Sequence, residues 1–330
     1  MLNRRDFSAA LAVLTTAALP LAARAQTGTA DWPNKPVRMV LSQPPGSGPD
    51  NVARVLAVAL QKSLAQAIVI DNKPGGQNVI GAQAAARSAA DGYTLYFATA
   101  AALVTNSYLF KAMPYDPLKD FVPVAFIARS PFCVLVEANS PIKSFADLLA
   151  RAKAEQGKVS VATEGPKTFG GMTARLLDAR AKVQTNLVSY ASVGVALQDV
   201  IGGHAQVAVA DVASSAQLVR QGRLRMLAVT SAKRVPGWEA VPAVAETLPD
   251  FDMVGWFAVV APTGTPAAIV QRVSKELAAA LADKEVAERI HAIGPNTDGV
   301  GGTPEQLAGF LRDEHTRWSQ IAKDIGLLPE

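Results

Sequence analysis

The glycine-rich segment 43–50 (QPPGSGPD) limits the folds open to this chain more than any other segment. It joins an apolar run at 37–41 to a helical pattern of apolar residues that begins at Val52. A strand that passes through a glycine turn into a helix directs free backbone N–H groups to one point, where the helix dipole favours an anion. Glycine lets a ligand approach the backbone closely, and Asp50 is predicted to be the N-cap. The segment predicts an anion-binding turn in an α/β fold.

Apolar runs of strand length alternate with Ala- and Leu-rich helical patterns along most of the chain. This alternation is typical of α/β proteins with mostly parallel sheets. Residues 266–325 carry helical patterns almost alone, and the last helix is predicted to begin at Thr303, with Pro304 as its first residue. Because this tail has no strands, we expect it to pack on an earlier domain. The chain then crosses between two hinged domains near residues 130 and 250, with a ligand cleft between them.

The N-terminal residues predict an exported protein. Arg4 and Arg5 precede an uncharged run at 8–23, which is too short for a permanent membrane anchor, and a small-x-small cleavage site ends at Ala25. The paired arginines favour a twin-arginine-like signal, and an ordinary Sec signal is the alternative. We therefore expect a periplasmic protein with a signal peptide over 1–25, lobe 1 over 26–130, lobe 2 over 131–250, and a return to lobe 1 over 251–330.

Charge and composition exclude several classes of partner. Removal of 1–25 takes away three arginines and one aspartate and lowers the net charge from +4 to +2, which argues against nucleic acid or an anionic membrane surface. The single cysteine, Cys133, lies in an apolar run and is predicted to be a buried thiol. Three widely spaced histidines do not make a metal site. We expect no metal and no cofactor, and a monomer.

Three further segments share the character of the first turn. They are 99–106 after a predicted strand, 163–171 (TEGPKTFGG) and 190–194 (YASVG). Ligands in open α/β sheets bind at the carboxyl ends of the strands, although each segment could also be an ordinary connection. The candidate ligand-binding residues are Gly46, Ser47, Gly48, Asp50, Thr99, Asn106, Thr163, Glu164, Gly165, Thr168, Ser192 and Asp211.

An ordered series of motifs resembles the periplasmic receptors of tripartite tricarboxylate transporters, the Bug family. The series begins with 32–38 (WPNKPVR), 44–50 (PPGSGPD), 71–75 (DNKPG), 91–95 (DGYTL) and 114–121 (PYDPLKDF). It continues with 222–234 (GRLRMLAVTSAKR), 241–246 (VPAVAE), 256–257 (WF) and 261–266 (APTGTP). The resemblance extends over nearly the whole chain after the export signal.

The resemblance implies a type II periplasmic-binding-protein-like fold, two lobes around an interdomain cleft that closes on a small organic anion. It also implies that backbone N–H groups and water hold the carboxylate, and that permease subunits in the membrane are the partner. The chain departs from the family where a Gly- and Ser-rich run is usual, because Glu164 and Lys167 stand there. A carboxylate at Glu164 would repel a dianion and suit an amine or amide, unless it pairs with Lys167. The ligand's identity is therefore open.

Two other functions compete with transport. The same fold could deliver its ligand to a signalling protein. Ser192 in the YASVG turn could also serve as the nucleophile of a hydrolase, with His204, His291 or His315 completing a triad. The turn fits this role poorly, because a small residue is needed where Tyr190 stands. We expect no catalytic residue.

Overall fold

Two β-sheets share one long strand, and this strand organises the fold. The computed structural model describes residues 31–297 and 301–329. The predicted signal peptide, its cleavage site at Ala25 and residues 26–30 lie outside the described residues. No helix of the described part is both long and apolar enough to cross a membrane.

The first sheet has the strand order β2-β1-β3-β9-β4. Strands β1 (Val37–Leu41), β2 (Ile68–Asn72) and β3 (Thr94–Thr99) are parallel. Strand β9 (Val254–Pro262) lies antiparallel between β3 and the first part of β4 (Phe121–Glu137). Every residue of β9 is buried, as expected for a strand in the middle of a sheet covered on both faces.

The second sheet is built on the last residues of β4. Strands β5 (Ser160–Thr163), β6 (Asn186–Ser189) and β7 (Val207–Asp211) are parallel, and β7 and β8 (Leu224–Val229) pair antiparallel with β4. The predicted α/β fold with parallel strands is present in both sheets. Strand β4, which links the sheets, and strand β9 run antiparallel to their neighbours, a direction that the sequence patterns did not show.

Ten α-helices connect or cover these strands. They are α1 (Gly48–Leu64), α2 (Val79–Ala86), α3 (Asn106–Leu109), α4 (Phe145–Ala154), α5 (Phe169–Ala181), α6 (Val193–Ile201), α7 (Val212–Arg220), α8 (Ala267–Ala282), α9 (Lys284–Ile293) and α10 (Pro304–Asp324), as far as the described residues extend. Thr303 caps α10 with Pro304 inside its first turn, as predicted. Short 3₁₀ turns lie at Gly76–Asn78 and Val244–Glu246, and a π-helical turn at Ala101–Thr105.

The helical tail packs on the first sheet and its helices. Helices α8 and α9 contact α1, while α8 and α10 contact β4. Trp256 of β9 is 1 % exposed, and its indole Nε1–H donates to Glu314 Oε2 of α10 at 2.9 Å. Arg317 Nε donates to the other Glu314 oxygen at 2.7 Å, so the buried carboxylate is paired. Trp256 therefore belongs to the core, where it fixes the last helix.

The segments that link the two sheets are tied together by Thr230. The sequence predicts separate strands at 122–127 and 133–136, but β4 is continuous through Pro131 and changes partner there, from β9 to β7 and β8. Thr230 Oγ1 lies 2.5 Å from Met253 O and 3.1 Å from Phe132 O, and it accepts the Phe132 N–H at 3.2 Å. Since Thr230 is fully buried, its hydroxyl satisfies backbone groups of both linking segments where water cannot.

Replacement of Thr230 by valine tests this link. Thr230→Val keeps the shape of the side chain and leaves the Phe132 N–H without its acceptor. We expect the free energy of unfolding to fall by about 1–3 kcal/mol, measured by urea denaturation. Thr316→Val, at an exposed threonine whose hydroxyl donates to Arg312 O, is the matched control and should change stability by less than about 0.5 kcal/mol. Equal effects of the two substitutions would contradict the assignment.

Candidate functional site

The turn after β1 is organised around the buried carboxylate of Asp50. Ser47 caps α1, because its side chain accepts the Asp50 N–H, so the prediction of Asp50 as the N-cap is wrong. Pro49 favours an earlier start of the helix and leaves Asp50 inside the first turn. Asp50 Oδ2 instead accepts the Gly46 N–H at 2.8 Å and Arg54 Nε at 2.9 Å. The carboxylate thus holds the turn from within.

The charge of Asp50 is balanced inside the protein. Burial by itself would raise the pKa of Asp50, but hydrogen bonds from Arg54, Asn72 and Gly46 outweigh it and hold the pKa below its usual range. Asn72 Nδ2 donates to Asp50 Oδ1 at 2.9 Å and to Gln43 O at the same distance, which fixes the turn to β2. Arg54 was missed from the sequence, although its i,i+4 spacing from Asp50 is a signal for such a pair.

Gly48 supplies the donor that this turn leaves available. The Gly46 N–H donates to Asp50, and the Ser47 N–H donates to Pro44 O at 3.3 Å. Within the described residues, the Gly48 N–H at the start of the 17-residue helix α1 has no acceptor. Of the three candidate residues of this turn, the N–H groups of Gly46 and Ser47 therefore hold the turn itself, and that of Gly48 has no acceptor in the described part of the chain.

Three helices of the second sheet begin at neighbouring strand ends. Thr168 caps α5 and accepts the Gly171 N–H, Ser192 caps α6 and accepts the Val195 N–H, and Asp211 caps α7 and accepts the Ser214 N–H. These helices follow β5, β6 and β7, which are adjacent in the sheet. Thr163 ends β5, and its hydroxyl accepts the Gly165 N–H at 3.1 Å. The sheet therefore brings together the predicted residues of this side.

Glu164 follows β5, close enough to the start of α6 for the Val193 N–H to favour its charged carboxylate and to act against the rise of its pKa. Although solvent reaches the residue, the protein around the carboxylate limits its hydration and raises the pKa of Glu164, and the negative charge of Asp211 raises it further. Limited hydration also raises the pKa of Asp211, against the hydrogen bonds that Ser214 and Ala213 donate to it. Two carboxyl groups with raised pKa values therefore lie near each other on this side.

The two sides of the candidate site touch at Gly48. A methyl group placed on Gly48 would lie 3.5 Å from Ala213 Cβ and 3.9 Å from Asp211 Oδ1. Gly294, which follows α9, approaches the same point, because a methyl group there would lie 2.7 Å from Ala213 Cα. Ala213 at the start of α7 thus lies between Gly48 and Gly294, and the backbone at Gly294 approaches it too closely for any side chain at that position.

Thr99 ends β3 and Asn106 follows it, at the same edge of the first sheet as the Gly48 turn. Asn106 Nδ2 donates to Gln77 O at 2.8 Å and lies 3.3 Å from the Tyr115 hydroxyl. In the part of the chain that the structure describes, Thr99 Oγ1 and Asn106 Oδ1 are buried without a hydrogen-bond partner. Buried unpartnered oxygens are uncommon in proteins and often mark functional positions.

The histidines lie away from Ser192. His204 follows the opposite end of α6, about 14 Å along the helix from Ser192. His291 Nε2 lies 2.9 Å from Thr297 Oγ1, and His315 Nε2 lies 3.0 Å from Leu103 O. The described geometry therefore places no histidine beside Ser192 for a catalytic triad, and the Ser192 hydroxyl serves as a helix cap.

Comparison with known proteins agrees with this arrangement. Residues 52–327 match the model of TctC, the tripartite tricarboxylate transporter family receptor. The chain belongs to the TctC family. BugT of Bordetella pertussis is 35 % identical over 89 % of this chain and 90 % of its own length. Two solved structures are similar to this chain. Rpa4515 of R. palustris with adipate has 32 % sequence identity and a TM-score of 0.85, and the match covers 91 % of this chain and 100 % of that chain. MatC of Rhodopseudomonas palustris with bound malate has 27 % identity and a TM-score of 0.78, and the match covers 88 % of this chain and 99 % of that chain.

Membership of the TctC family confirms two of the predictions. The resemblance stated from the sequence motifs is confirmed, and so is the α/β binding-protein fold with two lobes. The individual site residues stay predictions, because the contacts described above are contacts within the protein. These contacts nevertheless show which polar groups of the candidate residues are already used within the protein.

Loss of the Asp50 carboxylate should destabilise this TctC receptor. Asp50→Ala removes the acceptor of the Gly46 N–H, one of the two acceptors of Asn72 Nδ2 and the partner of Arg54, so we expect the free energy of unfolding to fall by about 2–3 kcal/mol. Glu288→Ala removes an exposed i,i+4 pair with Lys284 and should cost less than about 0.5 kcal/mol. The free energies of unfolding of both variants are measured by urea denaturation. A loss below 0.5 kcal/mol (roughly the exposed-pair level) for Asp50→Ala would show that the turn does not need its internal anion.

Proposed function

We propose that this chain is a solute-binding receptor that captures a small organic carboxylate in the cleft between its lobes. The observation that carries the proposal is the Gly48 N–H, which lies at the positive end of α1 and has no acceptor among the described residues. Gly48 itself lies against Ala213 and Asp211, at the start of α7. A carboxylate is the ligand that such a donor favours. The adipate of Rpa4515 and the malate of MatC support this class of ligand.

The two lobes correspond, in this proposal, to the two sheets with their helices. Lobe 1 comprises residues 26–130 and 251–330, and lobe 2 comprises residues 131–250. Their boundaries fall where β4 changes partner at Pro131 and just before β9 begins at Val254. Since both linking segments are short and tied by Thr230, rotation about them would open and close the contact between Gly48 and Ala213.

The receptor is proposed to act in the periplasm with permease subunits of a tripartite tricarboxylate-type transporter. The arginine pair and the cleavage site at Ala25 support export, and the TctC family supports the transporter. Closure on the ligand would bring surfaces of both lobes into one arrangement that a permease can recognise. Delivery of the ligand to a signalling protein would use the same closure, and a neighbouring gene for a sensor kinase instead of permease subunits would favour that alternative.

Thermal unfolding with a panel of carboxylates tests the proposal. A carboxylate at 100 times its Kd should stabilise the receptor by about 2.7 kcal/mol, a clear rise in the unfolding midpoint. Gly48→Leu should weaken binding by roughly 10-fold or more, because the side chain must fit between the lobes at the 3.5 Å contact with Ala213. Gly309→Leu on α10 is the control and should bind like the unsubstituted receptor.

Two results would contradict the proposed function. One is the absence of any shift with dicarboxylates, hydroxy acids, amino acids and aromatic acids. The other is undiminished affinity in Gly48→Leu, which would place the ligand elsewhere.

A further inference from the structure

The N-terminus of α6 already holds a carboxylate that belongs to the chain. Glu164 lies in the loop after β5, between the ends of β6 and β7, and the Val193 N–H at the start of α6 is close enough to favour its charged form. The N-terminal amides of a helix are a favoured place for an anion, so this internal carboxylate competes directly with a second carboxylate of a ligand. The sequence of this loop offers one cation, Lys167, which has an interaction of its own.

Asp211 adds a second acid next to the first. It caps α7 through its hydrogen bonds with the Ser214 N–H and hydroxyl, at 2.9 and 2.6 Å. Its Oδ1 lies 3.9 Å from the position of a methyl group on Gly48. Gly48 of the first turn therefore lies close to an acidic oxygen of the second lobe, and a ligand bound there would meet an N–H group on one side and carboxyl groups on the other.

The first lobe also contains a buried side-chain oxygen that has no hydrogen-bond donor in the described residues. Asn106 is completely buried at the sheet edge that carries Gly48, and its amide nitrogen is directed to Gln77 O and the Tyr115 hydroxyl. These two contacts fix the orientation of the amide and leave Oδ1, an acceptor, without a partner in the described residues. This observation is independent of the acids of the second lobe, and it too calls for a hydrogen-bond donor.

Building on the proposed carboxylate site, we infer that the ligand is an amino carboxylate, whose carboxylate binds at Gly48 and whose ammonium group binds at Glu164 beside Asp211. A dicarboxylate of the same length would place its second negative charge against these acids. Ammonium is the better match, because it donates three hydrogen bonds and offsets the charge of Glu164. Glu164 is then the residue that determines specificity within a site whose carboxylate end resembles that of other receptors in the family.

Matched ligand pairs test this inference in the intact receptor. Adipate is compared with 6-aminohexanoate and 2-aminohexanoate, and succinate with 4-aminobutanoate and 2-aminobutanoate, by calorimetric titration. Each set keeps the number of carbon atoms. In the ω-amino member a CH2–NH3⁺ group replaces one carboxylate, and in the 2-amino member that end is a methyl group and the ammonium group is on C2. We expect an amino member to bind about 10-fold tighter than its dicarboxylate or better, since hydrogen bonds to charged groups are the strong ones.

The variant Glu164→Gln tests whether Glu164 is the residue that makes the receptor prefer an amino carboxylate over a dicarboxylate. Gln keeps an acceptor for the Val193 N–H and removes the charge, so the fold is retained, which the unfolding midpoint checks. We expect about 10- to 100-fold weaker binding of the amino carboxylate and tighter binding of the dicarboxylate. Glu288→Gln, which removes the same charge from the exposed face of α9, should leave both affinities unchanged.

The possible failures are distinguishable. Tighter binding of the dicarboxylates by the unsubstituted receptor, or an unchanged preference in Glu164→Gln, would overturn the inference and leave the carboxylate site standing. Absence of binding for every member of both sets, together with no shift in the carboxylate panel, would overturn the proposed function as well.

Discussion

The continuous strand β4 is the constraint on which the rest of the structure depends. Its first part pairs with β9 and its last residues pair with β7 and β8, so one strand fixes the two sheets to each other. Both sheets then present the carboxyl ends of their parallel strands, and with them the starts of α1, α5, α6 and α7. The proposed ligand site follows from this strand, because each helix start carries N–H groups that need a cap, water or a ligand as their acceptor.

The helix starts differ in the groups that accept hydrogen bonds from their N–H groups. In α1, the buried Asp50 holds the turn, and the Gly48 N–H has no acceptor within residues 31–297 and 301–329. In contrast, α7 is capped by Asp211, and Glu164 lies near the start of α6 in addition to its cap Ser192. The difference determines the electrostatics of the cleft. One lobe offers an unsatisfied donor, and the other offers acids whose raised pKa values record their limited hydration.

The sequence predicted the local elements well, because glycine turns, capping residues and apolar periodicity act over a few residues. These local signals predicted the turn 43–50, the helix start at Thr303 and the turns at 163–171 and 190–194. The roles of Asp50 and Gly46 were not, since the hydrogen bonds from Asn72 and Arg54 depend on the arrangement of β2 beside β1. Likewise, only packing shows that Gly294 lies against Ala213. Contacts between distant segments are thus what the sequence patterns left undetermined.

A crystal structure of the receptor with its tightest-binding carboxylate tests the central claim most directly. That claim is that the donor at Gly48 and the acids of the second lobe together select the ligand. It predicts a ligand carboxylate within hydrogen-bond distance of the Gly48 N–H, and Glu164 still at the start of α6 with the ligand's ammonium group beside it. A ligand carboxylate bound to the Val193 N–H, with Glu164 displaced from the helix, would contradict the claim.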